Sequence, residues 1–326
     1  MRQQNSSAPV SLETIGDQPR LSESKHARRA RFHQSWYRAA HLGVSTWGCT
    51  AWGRPLGSIL PQPAAAAGMN FTSRESQNMF KVRRTQGWGV DPFRMTTHMT
   101  SSQTLLVNLL GPLGANRQWL LRALGTVLAR PDFVELLNLE IEYAPRARSR
   151  YLGDMTRLDA LITVRTAGGI EGVVLELKYT DRFSSRKLPI AENPLYRQMA
   201  NDSDTWRTPT SALTDYTVSQ LLRCHALGTK ALQVEHSAWM PVTLLLVSHP
   251  LDLVAVDILK SYRDHLSAPA SAVHVDLAKF LNAAIDVSSN SLERAAMGEL
   301  QLRYIEHAES EDLWLEHSSM SYAKNF

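Results

Sequence analysis

The sequence predicts a mixed α/β domain in which helices flank a central sheet. Segments with the apolar period of a helix alternate along the chain with segments of period two, which is typical of that class. A turn at Gly168 and Gly169 joins two of the strand-like segments and predicts a hairpin within the sheet. Hydrophobic residues make up 44% of the 326 residues and charged residues 20%, so wholesale disorder and a fibrous class are excluded.

The predicted elements follow from caps, stop signals and apolar periods. A first helix is predicted over residues 101–114, SSQTLLVNLLGPLG, which begins with a Ser-Ser cap and ends in Gly-Pro and Gly. A second, amphipathic helix is predicted in residues 116–132, NRQWLLRALGTVLARPD, and ends before Pro131. A basic loop, PRARSRYLGD (145–154), separates the first two strands. We expect strands over 139–143, 158–164, 172–179 and 241–248, a long polar loop over 182–212, and helices over about 214–232 and 251–304.

Positive charge is concentrated in the front of the chain. Residues 1–94 carry 13 Lys/Arg against 5 Asp/Glu, whereas the remainder carries 22 against 26. Such a segment can attract phosphate backbones or anionic surfaces, and a solvated arm without a partner is the alternative. A translation start at Met69, after the Ala/Pro-rich patch, is also open.

The composition predicts four parts of the chain, since the front lacks sustained periodicity. They are a mostly disordered basic arm over 1–68 with one helix around 25–42, a basic lead-in over 69–100, a core over 101–250, and a helical extension packed on that core over 251–326.

Several classes of protein are excluded by what the sequence lacks. No apolar stretch approaches the ~20 residues of a membrane-spanning helix. Cys49 and Cys224 cannot form a disulfide framework or a four-cysteine zinc site. Neither a G-x-S-x-G nucleophile elbow nor a Walker phosphate loop occurs. We therefore expect a soluble, cytoplasmic protein without a membrane partner.

Asp159, Glu176 and Lys178 are the candidates for chemistry. Asp159 lies in an otherwise apolar strand, and Glu176 and Lys178 stand two residues apart in VVLELKYTD, so a strand places both on one face. The charges of Glu176 and Lys178 are costly to bury unless they are paired or bind a metal. The hairpin brings Asp159 beside these two side chains. The carboxylates can hold a hard cation such as Mg²⁺, while the lysine orients or deprotonates a water and stabilises phosphate charge. For an E-x-K pattern taken alone, the alternative is that Glu and Lys lie on the solvent-exposed face of an antiparallel strand.

These segments resemble the active-site hairpin of the PD-(D/E)xK nuclease superfamily, which has a restriction-endonuclease-like fold. The resemblance lies in GDMTRLDALITV and GVVLELKYTD. The ordered set SSQTLLVNLLGPLG, LEIEYAP, LELKYTD and SQLLRCHALG, from about residue 101 to 250, is similar to a bacterial family of restriction endonucleases. It implies Asp159 and Glu176 as metal-binding acids, the Leu177 carbonyl as a further ligand, and Lys178 as the catalytic lysine. Mg²⁺, with Mn²⁺ as a substitute, is the implied cofactor; the Pro of the superfamily name is replaced by Leu158.

The resemblance also implies a further acid, which the helix before the hairpin lacks between residues 116 and 130. Glu142 is the preferred substitute because it lies nearest the hairpin, and Glu135 and Glu140 are alternatives. Asp154 fits a turn more simply.

Contacts with nucleic acid are expected in two places. The lead-in interleaves aromatic residues with basic ones, which suits stacking on bases and binding of phosphates, although packing explains these aromatics equally well. The resemblance implies that the helix after the hairpin faces the active site, where Gln220 can contact a phosphate or a metal-bound water. A surface helix with a solvated polar stripe is the alternative. The residues expected to contact nucleic acid are Arg83, Arg84, Gln220 and Arg223. His225 has no second His or Cys four residues away, so metal binding is not expected there.

Together these observations predict a metal-dependent nuclease that hydrolyses phosphodiester bonds, with DNA as the preferred substrate; the resemblance implies a role in restriction or anti-phage defence. One alternative is a catalytically inactive nucleic-acid-binding or interaction protein on the same fold. Another is a nuclease of DNA repair or recombination. A homodimer is an open alternative to a monomer.

Overall fold

The computed structural model describes residues 10–18, 23–184 and 187–323, and its centre is one five-stranded sheet. The strands are β1 Phe133–Tyr143, β2 Leu158–Thr166, β3 Gly169–Lys178, β4 Val242–Ser248 and β5 Ala272–Asp276. They are ordered β1-β2-β3-β4-β5; the pairs β1–β2 and β2–β3 are antiparallel, whereas β3–β4 and β4–β5 are parallel. The predicted central mixed sheet is confirmed.

Helices cover both faces of this sheet. Before β1 lie α1 Leu12–Ile15, α2 Lys25–Ala40, α3 Gln62–Ala66, α4 Arg74–Thr85, α5 Pro92–Thr97, α6 Ser102–Ala115 and α7 Arg117–Leu128. Between β3 and β5 lie α8 Pro194–Asp202, α9 Pro209–Thr214, α10 Ser219–His236 and α11 Leu253–His265. After β5 follow α12 Leu277–Asp286, α13 Ser291–Tyr304 and α14 Glu311–Ala323. No helix of the described residues is long and apolar enough to cross a membrane.

The alternation of side chains along β3 separates two apolar cores. Leu175 and Leu177 are buried in the core shared with α6, α7, α12 and α13. Val174 belongs to the other core, under α8, α10 and α11. Glu176 and Lys178 have the parity of Val174, so they face the α10 side of the sheet.

Close packing fixes α10 over β3. A Cβ atom built on Gly228 of α10 would come within 2.1 Å of the Val174 side chain, so only glycine permits this approach. The amino-terminal turns of α10 are therefore held above Glu176 and Lys178.

Two predicted segments differ from the structure. The polar stretch 182–212, expected as one long loop, contains α8 and α9, because Asn193 caps a helix that buries Tyr196 and Met199 against the second core. The region from residue 251 to 304, expected to be helical throughout, contains β5. Its AVHVD sequence alternates with period two and adds a short edge strand parallel to β4.

The basic arm also differs from the expectation of disorder wherever it is described, over residues 10–18 and 23–68. The helix expected around 25–42 is present as α2 and buries Phe32 and Tyr37. Composition underestimates this packing because polar side chains are buried with their hydrogen bonds satisfied: Arg38 donates to the carbonyls of Gly57 at 2.8 Å and Thr46 at 2.7 Å. Residues 1–9 and 19–22 lie outside the described residues, and the division of the chain at 68, 100 and 250 stays a prediction.

Candidate active site

Asp159, Glu176 and Lys178 meet where β2 begins and β3 ends. The Leu177 backbone N–H donates to Asp159 Oδ2 at 2.7 Å, which ties the two strands together at this point. Lys178 Nζ lies 2.9 Å from Glu176 Oε1. The hairpin thus brings the three predicted side chains together, as their spacing in the sequence indicates.

Residues of α10 complete the surroundings of Glu176. Gln220 Nε2 donates to Glu176 Oε1 at 2.6 Å, and the thiol of Cys224 lies 3.4 Å from Oε2. The side chains of Glu176 and Lys178 are only 4% and 7% exposed. The face of Phe183 covers the ammonium of Lys178 at 4.9 Å, so the ion pair is held in one geometry.

An open cavity of about 460 Å³ leads to this group. It is lined by charged side chains of both signs. The acids are Asp91, Glu142, Asp159, Glu176 and Asp181, and the bases are Arg94, Arg157, Lys178 and Arg223. A polar cavity of this kind suits a highly charged substrate.

Burial and like charges shift the protonation of the carboxyl groups. Burial, together with the charges of Glu176 and Glu142, raises the pKa of Asp159 well above its ordinary value. Burial raises the pKa of Glu142 to about 7. Burial alone would lower the pKa of Lys178, but the charges of Glu176 and Asp159 outweigh it and raise that pKa, so the ammonium stays charged near neutral pH.

Glu142 reaches the cavity through an unusual backbone conformation at the end of β1. Its φ angle is +48°, and its buried Oε1 has no hydrogen-bond partner among the described residues. Arg83 holds this turn from behind, donating to the carbonyl oxygen of Glu142 from Nη2 at 2.6 Å and to that of Ile141 from Nε at 2.9 Å. Glu142, the preferred further acid, is therefore brought into the cavity.

Arg83 is not available for the phosphate contact that was expected of it. Arg83 is buried, and its guanidinium is committed to backbone carbonyls at Ile141, Glu142 and Trp88. The reason lies in the packing of α4 against the end of β1, where buried carbonyl oxygens require a hydrogen-bond donor. Arg84, its neighbour, is exposed.

The two expected residues of α10 line the cavity. Gln220 is hydrogen-bonded to Glu176 and, through Oε1, accepts from the Ser184 backbone N–H at 2.8 Å. Arg223 donates to the Thr156 hydroxyl at 3.0 Å, while its buried Nε has no partner among the described residues. Both side chains therefore reach the place where a substrate would lie.

Other candidates have structural roles. Asp154 accepts from the Thr156 backbone N–H at 2.9 Å, as expected of a turn residue. His225 is buried between the Tyr262 hydroxyl and the Val242 carbonyl, away from the cavity. Glu135 pairs with Arg165 at the far end of β2, and neither Glu135 nor Glu140 lines the cavity.

Sequence reasoning missed several residues that line the cavity, among them Arg157, Asp181 and Cys224. Asp181 pairs with Arg94 at 3.1 Å and accepts from the Ser102 backbone N–H at the start of α6, at 3.3 Å. Its position three residues after the end of β3, in the sequence KYTD, was the available signal. Cys224 gave no signal, because only the folded chain brings it to the cavity. Arg94 belongs to the basic lead-in, in which phosphate contacts were expected.

The mixed sheet and the carboxylate–lysine group on its hairpin define a restriction-endonuclease-like α/β protein. A family model described as the PD-(D/E)XK nuclease superfamily matches residues 21–306, and the chain belongs to this superfamily. Membership indicates nuclease activity, and the match extends into residues 21–68, where α2 and α3 are packed. No curated protein and no solved structure matches the chain significantly.

The donor atoms of the site suit a hard divalent cation that takes few protein ligands. No group of three or more His, Cys, Asp or Glu side chains in the described ranges is arranged to hold a metal ion. Asp159 and Glu176 do offer carboxylate oxygens, and Glu142 adds an unpartnered one. The Leu177 carbonyl points to the same side of β3 as its N–H, which faces Asp159. Mg²⁺ needs only one or two carboxylates, because water and substrate phosphates fill its other positions.

Proposed function

We propose that this protein is a metal-dependent nuclease that hydrolyses phosphodiester bonds of DNA, with Mg²⁺ as its ion and Mn²⁺ as a substitute. The observation that carries the proposal is the buried Lys178–Glu176 pair beside Asp159 at the inner end of an open, charged cavity. A buried ion pair is costly, and one that lines a cavity beside a further carboxylate marks a candidate for catalysis.

The protein's own residues would act as follows. Asp159, Glu176 and the Leu177 carbonyl would hold the cation, with Glu142 beside them. A bound divalent ion would supply Lewis-acid stabilisation of the phosphate charge. Lys178, kept charged by its two carboxylate neighbours, would stabilise negative charge on the phosphate and orient a water for in-line attack. Gln220 keeps Glu176 in position through its 2.6 Å hydrogen bond.

One assay tests this proposal. The purified full chain is incubated with Mg²⁺ or Mn²⁺ and plasmid, linear duplex and single-stranded DNA, or RNA. We expect cleavage of DNA that EDTA abolishes, and a loss of roughly 10²-fold or more in Lys178→Met. Glu171→Gln is the matched control, because Glu171 lies on the same strand but outside the cavity and pairs with Arg130.

The alternatives predict different results. Binding of DNA without cleavage under any metal would favour an inactive binding protein, and cleavage of RNA alone would replace DNA as the substrate. A role in restriction or anti-phage defence is supported by the resemblance. It predicts that cells expressing the wild-type protein reduce phage plaque formation, whereas cells expressing Lys178→Met do not. A role in repair or recombination predicts no such difference. A cytoplasmic location and a homodimer stay predictions.

A further inference from the structure

The loop between β1 and β2 (residues 144–157) carries a concentration of positive charge. It contains four arginines and one acid, Asp154. Asp154 is already committed, since it accepts from the Tyr196 hydroxyl at 2.8 Å as well as from Thr156. Among the described residues, none of the four arginines forms a salt bridge. The arginines of the loop are Arg146, Arg148, Arg150 and Arg157.

Contacts on both sides hold this loop in place. Leu152 is 1% exposed and anchors the loop in the core under α10. Arg146 donates from Nη2 to the Gln86 carbonyl at 3.0 Å, and the guanidinium of Arg148 stacks over the ring of Trp88 at 4.7 Å. A guanidinium that stacks through its face keeps N–H groups at its edge for other partners. The positive charges are therefore presented by an anchored segment.

The loop leads directly into the active-site cavity. Its last residues, Met155, Thr156 and Arg157, line the same cavity as Asp159 and Lys178. Arg146 and Arg150 are exposed a few residues earlier along the chain. Arg157 also donates to the carbonyl oxygen of Gly89, which follows Trp88, the residue on which Arg148 stacks, so the arginines of this loop border the cavity. A strand of nucleic acid bound in the cavity would extend toward them.

We propose that Arg146, Arg148 and Arg150 bind the sugar-phosphate backbone of the strand that is cut; this inference rests on the proposed function. Guanidinium groups suit phosphate oxygens because they can donate two parallel hydrogen bonds. Contacts of this kind position a strand without reading its bases. The loop therefore supplies affinity for DNA of any sequence. It takes the role of phosphate binding that was expected of Arg83, which is buried.

The test is the salt dependence of binding. Affinity for a fluorescein-labelled DNA duplex is measured in EDTA, so that the duplex stays intact, between about 50 and 200 mM salt. In the triple variant Arg146→Gln, Arg148→Gln, Arg150→Gln we expect weaker binding to every sequence. The slope of log affinity against log salt should become shallower by about 0.9 for each phosphate that the variant no longer neutralises, or up to about 2.7. Cleavage with Mg²⁺ should fall in step with this loss of affinity and no further, because Asp159, Glu176 and Lys178 are retained.

The matched control is the triple variant Arg122→Gln, Arg165→Gln, Arg294→Gln, which removes three positive charges outside the loop. All three arginines are exposed, none lines the cavity, and Arg165 lies six residues along β2 from Asp159, which is about 20 Å. The control should bind with the wild-type slope. If the triple variant unfolds, the single variant Arg150→Gln is used, because Arg150 has no side-chain partner in the described part of the chain. For this variant the slope of log affinity against log salt should become shallower by about 0.9.

The outcomes separate the two proposals. An unchanged slope in the loop variant, with cleavage by the wild-type protein, overturns this inference and leaves the nuclease proposal standing. An equal change in the control variant also overturns it, because diffuse charge would then explain the binding. A wild-type protein that neither binds nor cleaves nucleic acid overturns both.

Discussion

Arg83 and Glu142 are joined by a hydrogen bond of 2.6 Å from the guanidinium Nη2 to the backbone carbonyl oxygen, and this contact ties α4 to the end of β1. Glu142 has a φ angle of +48°, a conformation that costs about 1–3 kcal/mol in a residue other than glycine. Gly89 completes the arrangement, because a Cβ atom there would meet Arg83 Nη2 at 2.6 Å and the Glu142 carbonyl at 3.2 Å. Arg83 thus positions a carboxylate of the candidate active site without lining the cavity itself.

Replacement of Arg83 should therefore affect both stability and activity. Arg83→Met leaves buried carbonyls at residues 88, 141 and 142 without their donor, and we expect a loss of about 2–4 kcal/mol in the free energy of unfolding. Cleavage at a temperature where the variant is folded should fall because Glu142 is no longer held. Chemical denaturation and cleavage rates measure the two effects. Arg84→Met, an exposed neighbour, should change stability by less than about 0.5 kcal/mol; an equal loss in both variants would contradict the positioning role.

The sequence predicts how the hairpin groups its three side chains; it also singles out Glu142, but not the contacts that bring Glu142 to the cavity. A period of two on β3 and a glycine turn are local signals, and they suffice to place Asp159, Glu176 and Lys178 on neighbouring strand ends. The approach of Glu142 depends on a positive φ angle and on Arg83, which lies 59 residues away in the sequence. No local pattern encodes such a contact, which is why the sequence alone predicts a surface position for Arg83.

The same distinction applies to the fold. The strands of the sheet's centre carry strong apolar patterns, whereas β5 is a five-residue edge strand whose signal is hidden between two helical segments. The packing of α2 depends on buried polar groups such as Arg38, which composition counts as signs of exposure.

Asp159→Asn should stabilise the protein when metal is removed. Burial beside Glu176 and Glu142 raises the pKa of Asp159, so the folded state is penalised once the pH exceeds the unfolded pKa of about 3.9. Asparagine keeps an oxygen for the Leu177 N–H and removes the like charge. We expect a higher Tm than wild type in EDTA at pH 8 and a smaller difference near pH 4. A lower Tm at pH 8 would show that the carboxylate is stabilising without a cation.

Acid should destabilise the protein through a stack of histidines between α2 and the chain after β4. The ring of His249 lies 5.5 Å from that of His307, which lies 4.6 Å from that of His33. Burial lowers the pKa of His33 and His249 to about 4 and that of His307 to about 2. Because the unfolded chain takes up these protons near pH 6.5, stability should be lost as the pH falls from about 6.5 to about 4.

The measurement is the free energy of unfolding between pH 7 and pH 4. Each histidine adds up to about 1.4 kcal/mol per pH unit to the slope. His249→Asn keeps an acceptor for the Leu251 N–H, a contact of 3.2 Å in the wild-type protein, and should flatten the profile. An unchanged profile would assign the acid sensitivity to other groups.

The last prediction concerns the front of the chain, which the structure packs against the rest of the protein. Phe32 is fully buried, and Tyr37 is 1% exposed in the same cluster. Arg29 of α2 pairs with Glu311 at 2.9 Å, and His33 is hydrogen-bonded to Ser310, so α2 also holds the carboxyl-terminal segment.

Deletion of residues 1–68, as in a chain that starts at Met69, should therefore abolish cooperative folding rather than leave it unchanged. Such a deletion exposes the apolar surface that α2 and α3 cover and removes the donors of several buried hydrogen bonds. Circular dichroism during thermal unfolding tests this directly. Within the full chain, Phe32→Ala should cost about 3–5 kcal/mol. Trp52→Ala, at a side chain that is 95% exposed, should have almost no effect and serves as the control. A truncated protein that melts with the Tm of the full chain would show that α2 contributes nothing to the core, because a packed helix cannot be removed without exposing what it covers.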